Sequence, residues 1–128
     1  MSFTPEPLPP LPMTLAQAIA RMEGWYSAGQ VPNRPQRNFN PGDVEYGPFA
    51  QEHGAIGTDG RFAIFPDSNT GFACLECLLA GPDYATLTIE DGVNKYAPPV
   101  ENNTALYVSA VCFWTKLEPT QIIGEVLS

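Results

Sequence analysis

Thr14-Leu15-Ala16-Gln17-Ala18-Ile19-Ala20-Arg21-Met22-Glu23-Gly24-Trp25-Tyr26 decides how the rest of the chain is read. It opens with a capping box, in which the Thr14 hydroxyl and the Gln17 amide each satisfy an orphan backbone donor. Leu15, Ala18, Ile19 and Met22 recur at helical spacing and form one apolar stripe. Gly24 is a stop signal. Glu23 falls four residues after Ile19 and eight after Leu15, at the edge of that stripe. It also stands at the helix end, where the negative pole of the dipole disfavours a carboxylate. Trp25 and Tyr26 adjoin it and are placed to shade it from water. Apolar surroundings disfavour the charged form of a carboxyl group, so Glu23 is a candidate general acid. A glutamate near a helix end is ordinarily a solvated surface residue. The order of the following elements is what lifts Glu23 above that.

Outward from this helix, residues 1–13 hold five prolines and read as an extended segment, packed on the surface or mobile, ahead of a domain spanning 14–128. Ser27 to Asn40 is polar, broken by Pro32 and Pro35, and reads as a loop. Asn40-Pro41-Gly42-Asp43 signals a turn, and Val44–Phe49 a short strand. Gly54–Gly60 reads as a flexible hairpin tip and Arg61–Phe65 as a strand ended by Pro66. Asp67, Ser68 or Asn69 caps a helix to about Ala80, with Phe72, Leu75, Leu78 and Leu79 inward. Thr88 caps a short helix carrying Ile89, Val93 and Tyr96, which Pro98-Pro99 stops. Asn102 or Asn103 caps another, in which Tyr107, Ala110, Val111 and Trp114 share a face. A short helix follows Pro119. One helix, a small β-hairpin lobe, then several helices is an α+β, mainly helical arrangement, with a cleft between the two lobes.

Composition narrows the function. The chain has 128 residues, 44% of them apolar, enough for one domain with its own core. No apolar run reaches about 18 residues, so no membrane span is expected. The N-terminus lacks the basic start and apolar stretch of a secretory signal, so the expected location is the cytoplasm of the producing cell until lysis, or a phage particle. A formal net charge of −8 argues against nucleic acid as a partner. Three cysteines cannot all pair; Cys74 and Cys77 form a C-x-x-C inside an apolar helical pattern and read as buried, reduced thiols. With one histidine, His53, which reads as a loop residue, no metal or other cofactor is expected.

Ala18-Ile19-Ala20-Arg21-Met22-Glu23-Gly24-Trp25-Tyr26 resembles the helix-plus-glutamate element of lysozyme-like hydrolases. Arg37-Asn38-Phe39-Asn40-Pro41-Gly42 resembles the R-N-N-N-P-G-N segment of small phage-encoded proteins, with Phe39 and Asp43 where that pattern usually has asparagines. Phe62-Ala63-Ile64-Phe65-Pro66, with Gly71-Phe72 and Leu78-Leu79 after it, is similar to flagellar-type glucosaminidases. Tyr96-Ala97-Pro98-Pro99, Glu101-Asn102-Asn103-Thr104 and Tyr107 match the phage-encoded family again. The resemblance implies a lysozyme-like fold that cuts the glycan strands of peptidoglycan; a monomer is the expected state.

Glycosidases pair the acid with a second carboxylate. Asp43 and Glu45, 20 and 22 residues after Glu23, are the candidates. Asp43 also suits a turn, and Glu45 the wet face of an edge strand. Lytic transglycosylases need no second carboxylate, because a sugar hydroxyl attacks. Sugars present apolar faces and many hydroxyls, which nominates Tyr26, Asn40, Tyr46, Tyr96, Asn103 and Tyr107 as substrate contacts. Tyr96 and Tyr107 equally fit helix core positions, and Asn103 a cap. A wall-binding or virion module of the same shape, or an interaction protein, are the non-catalytic alternatives.

Overall fold

The chain, a computed structural model describing residues 4–127, starts with helix α1 (Leu15–Glu23). The capping box forms as expected: Thr14 Oγ1 accepts from Gln17 N–H at 3.1 Å, and Gln17 Oε1 accepts from Thr14 N–H at 3.0 Å. Gly24 ends the helix at φ +97°, a left-handed conformation that costs glycine nothing, and its N–H reaches the carbonyls of Ala20 and Arg21. Helices α2 (Arg34–Arg37) and α3 (Pro48–Glu52) follow, then the antiparallel pair β1 (Gly57–Thr58) and β2 (Ala63–Ile64), in register Gly57↔Ile64 and Thr58↔Ala63. The remainder is helical: α4 (Ser68–Ala80), α5 (Ile89–Tyr96), α6 (Thr104–Thr115) and α7 (Ile123–Leu127). Their caps are Asp67, Thr88 and Asn103 for α4, α5 and α6. The architecture is therefore α+β, with one small two-stranded sheet among helices. No helix among the described residues is long and apolar enough to cross a membrane.

The core joins these elements in one cluster. Leu15, Ala18 and Ile19 of α1 meet Leu75 and Leu79 of α4, Ile89 and Val93 of α5, and Tyr107 and Val111 of α6. α1 packs chiefly on α6 and α4. The N-terminal segment is docked: Glu6 accepts from the Trp25 indole N–H at 2.9 Å, and buried Met13 donates its N–H to the Trp114 carbonyl at 2.8 Å. Residues 1–3 of that segment, and Ser128, lie outside the described residues.

Several expectations need correction. The Ser27–Asn40 stretch contains α2, because Asn33 and Gln36 form a second capping box and Pro35 sits in the first turn, where its missing N–H costs nothing. Val44–Phe49 is not a strand: only Glu45 bridges to Phe62, and Pro48 starts α3. The hairpin tip is braced. Asp59 Oδ1 accepts from the Phe62 and Arg61 N–H groups at 2.8 and 3.1 Å, and Oδ2 from Asn38 at 3.0 Å, holding its carboxyl down at about 2. Cys74 is buried, but Cys77 is exposed, since the buried stripe of Gly71, Cys74, Leu75 and Leu79 has Cys74 at its edge and leaves Cys77 beyond it.

Asn40 is not a substrate contact. Its side chain is 0% exposed, and it donates to the carbonyls of Val44 and Ala63, both at 2.9 Å, while accepting from Val44 N–H at 2.9 Å. It thereby ties the 40–44 turn to β2. On the other side the turn lies hard against α4 and α5. A Cβ on Gly42 would stand 2.6 Å from the Tyr96 hydroxyl and 2.8 Å from Leu75, and one on Gly71 would stand 2.1 Å from the Phe39 carbonyl. Asn40→Ala strands Val44 N–H and the Ala63 carbonyl in the interior and is expected to lower stability by about 2–4 kcal/mol. Urea unfolding measures this; a loss below about 0.5 kcal/mol would refute the clamp.

Candidate active site

Glu23, the last residue of α1, reaches a cleft of about 600 Å³ between the hairpin side and the α4–α5 side of the molecule. Val44, Phe49, Phe62, Leu78, Tyr84 and Tyr96 are the apolar and aromatic residues among those that line it. Burial strips water from the Glu23 carboxyl and raises its pKa from 4.5 to about 7. The nearby Asp43 charge pushes the same way. Two groups oppose the rise: the Tyr107 hydroxyl, which donates to Glu23 Oε2 at 2.8 Å, and the Arg34 guanidinium. Desolvation wins, so the group holds its proton close to neutral pH. Tyr107 is itself buried, and its hydroxyl is pushed well above its ordinary value by burial and by Glu23, so it remains a donor. With Oε2 accepting from Tyr107, the Glu23 proton is left to Oε1.

Asp43 and Glu45 both line the cleft, in different states. The Asp43 side chain is 4% exposed and held by Arg34 Nη2 at 2.9 Å, with Arg34 Nε at 3.3 Å from the same oxygen. Its backbone lies at φ +50°, a left-handed conformation that aspartate tolerates better than most residues. Glu45 is exposed and paired with Arg61 at 3.0 Å; Arg61 also reaches Glu101 at 3.3 Å. Arg34 and Arg61 both stack on the Phe62 ring, at 4.0 and 4.9 Å from its centre.

Among the aromatic and amide candidates the structure separates cleft from core. Tyr96 lines the cleft and donates its hydroxyl to the Gly42 carbonyl. Tyr107 serves Glu23 and offers no open face to a sugar. Tyr26, Tyr46 and Asn103 do not line the cleft. Tyr26 sits near Glu6, its hydroxyl raised to about 12 by burial and by that charge. Tyr46 accepts from Gln51 at 2.7 Å, and Asn103 is occupied as the cap of α6, whereas its neighbour Asn102 does line the cleft. Trp25 is also absent from the cleft walls; it packs edge-on against Phe72, so the shading of Glu23 comes from elsewhere. His53 stacks on Phe49 and its Nδ1 lies 2.8 Å from the Phe49 carbonyl.

The sequence reading missed Arg34, Arg61, Tyr84 and Lys95. Only Arg34 had a local signal, the Asn33–Gln36 capping box that starts its helix. Together they change the electrostatics. Three of the six Lys and Arg residues, Arg34, Arg61 and Lys95, lie in this one cleft, facing Asp43, Glu45 and Glu101. With Glu23 protonated the cleft is formally neutral on a chain of net charge −8. Comparisons of the chain with protein-family models, with curated proteins and with solved structures find no match.

Below pH 4.5 Glu23 is protonated folded and unfolded alike. Between 4.5 and about 7 the unfolded chain releases the proton first, so stability is lost across that window and stays lost above it. Glu23→Gln keeps an acceptor for Tyr107 without the buried charge. It is expected to raise stability at pH 8 by up to about 3 kcal/mol and to change it little at pH 4. Urea midpoints of both proteins at the two pH values measure this; a gain of equal size at both would remove the cause given for the shift.

Proposed function

We propose that this chain cleaves the glycan strands of peptidoglycan, as a lysozyme-like enzyme with Glu23 as its general acid. The observation that carries the reading is a carboxyl group still protonated near pH 7, held by Tyr107 on the wall of a cleft large enough for sugar rings. Breaking a glycosidic bond needs a proton on the leaving oxygen as the bond weakens. Glu23 Oε1 supplies it. Tyr107 keeps the carboxyl oriented and takes up part of the charge left on Oε2 once the proton has gone. Aromatic and apolar walls suit the flat faces of sugars, and Asn102 and the charged side chains suit their hydroxyls.

Two routes complete the reaction. In a hydrolase, Asp43 or Glu45 activates water or attacks the sugar. In a lytic transglycosylase a hydroxyl of the sugar attacks instead. The second route is favoured by one feature: both carboxylates are already bound to arginines, Asp43 to Arg34 and Glu45 to Arg61.

Clearing of purified peptidoglycan is expected to fall by about 10²–10⁴-fold on Glu23→Gln, and in the parent to fall as pH rises through about 7, where the acid loses its proton. Mass analysis of the products reads the route: anhydro ends mark transglycosylation, new reducing ends hydrolysis. Undiminished clearing by Glu23→Gln would take this residue out of the mechanism. No clearing by either protein would leave a wall-binding module.

A further inference from the structure

Of the three cations in the cleft, two are neutralised within the protein: Arg34 by Asp43, Arg61 by Glu45 and Glu101. Lys95 is not. Its Nζ donates to the Asp83 backbone carbonyl at 3.0 Å and stands 5.1 Å from the centre of the Tyr84 ring. Among the described residues no carboxylate pairs with it. A lysine ammonium has three donors, and one is used here. The carbonyl and the ring hold the head group in place, and Tyr84, itself buried, gives that part of the cleft an aromatic wall.

A cation with spare donors beside an aromatic wall fits an anion carried on a body with an apolar face. A carboxylate suits it best, since charge-assisted hydrogen bonds are short and strong. We infer that Lys95 anchors a carboxylate carried by the bound glycan, so that the cleft selects strands with acidic substituents over uncharged ones. This rests on the glycan-cleaving reading above. In peptidoglycan the carboxylate has two sources: the lactyl group of N-acetylmuramic acid where no peptide is attached, and the stem peptide where one is.

The test uses the full chain with Glu23→Gln, which binds without cutting, and three saccharides of equal length. These are N-acetylglucosamine oligomers, alternating N-acetylglucosamine–N-acetylmuramic acid oligomers without peptide, and the same oligomers carrying stem peptides. Calorimetric titration is expected to show about fivefold tighter binding of one acidic series than of the uncharged one. Whichever acidic series is preferred identifies the source. Adding Lys95→Gln brings that ratio close to one; adding Lys95→Arg, which keeps the charge, restores it; and salt narrows it. Equal affinities for all three saccharides, or a ratio that survives Lys95→Gln, overturn the anchor and leave Glu23 untouched. If none of the saccharides binds and the parent chain does not cut peptidoglycan, the glycan reading fails and the anchor with it.

Discussion

The buried carboxamide of Asn40 is the constraint on which the cleft depends. All its polar atoms are engaged by backbone groups on two segments that are distant in sequence, and no water competes for them. This fixes the 40–44 turn against β2, while Gly42 and Gly71 let the same turn lie flush on Leu75, Tyr96 and α4. Asp43 is thereby delivered beside Glu23, and Arg34, one short helix earlier, is drawn in to meet it. A looser turn would leave two carboxyl groups free to separate, and the electrostatic pressure on Glu23 would relax. The price of a fixed arrangement is a left-handed aspartate backbone and an acid whose ionised form is disfavoured by its surroundings.

Overall charge and local charge diverge in this molecule. The acidic total would repel an anionic partner at long range, yet half of the cations are gathered along one concave surface. Fields inside a cleft are governed by the nearest groups, because salt screens the distant ones over roughly 10 Å. Arg34 and Arg61 both stack on Phe62, which sets two of these positive charges against an aromatic ring while each side chain stays about half exposed.

What the sequence made legible was local. Thr14, Asp67, Thr88 and Asn103 act on backbone groups three residues away, so a short window names Thr14 and Thr88 outright and narrows the caps of α4 and α6 to two or three neighbours. Glu23 falls at the edge of the helix stripe, but the stripe alone does not distinguish it from a surface glutamate; the order of the elements after it does. Prolines misled in two ways: Pro35 reads as a breaker and Pro48 is passed over inside an expected strand, yet both occupy first turns, where they begin short helices. Long-range partnerships were illegible. Tyr107 lies 84 residues from Glu23, Ala63 lies 23 from Asn40, and Glu101 lies 40 from Arg61. An exposed sugar platform, a buried hydrogen-bond donor and a helix cap draw on the same Tyr and Asn residues, and only packing decides among them.

The thiols of α4 differ in a way that is useful at the bench. Cys74 is sealed in the core and burial lifts its thiol to about 11, and partly buried Cys112 is raised as well, whereas Cys77 stands on the surface of the same helix. A maleimide dye would therefore react first at Cys77, on the outer side of α4. Its neighbour Leu78 faces the cleft. A fluorophore placed there reports from just behind the cleft wall without a cysteine having to be introduced.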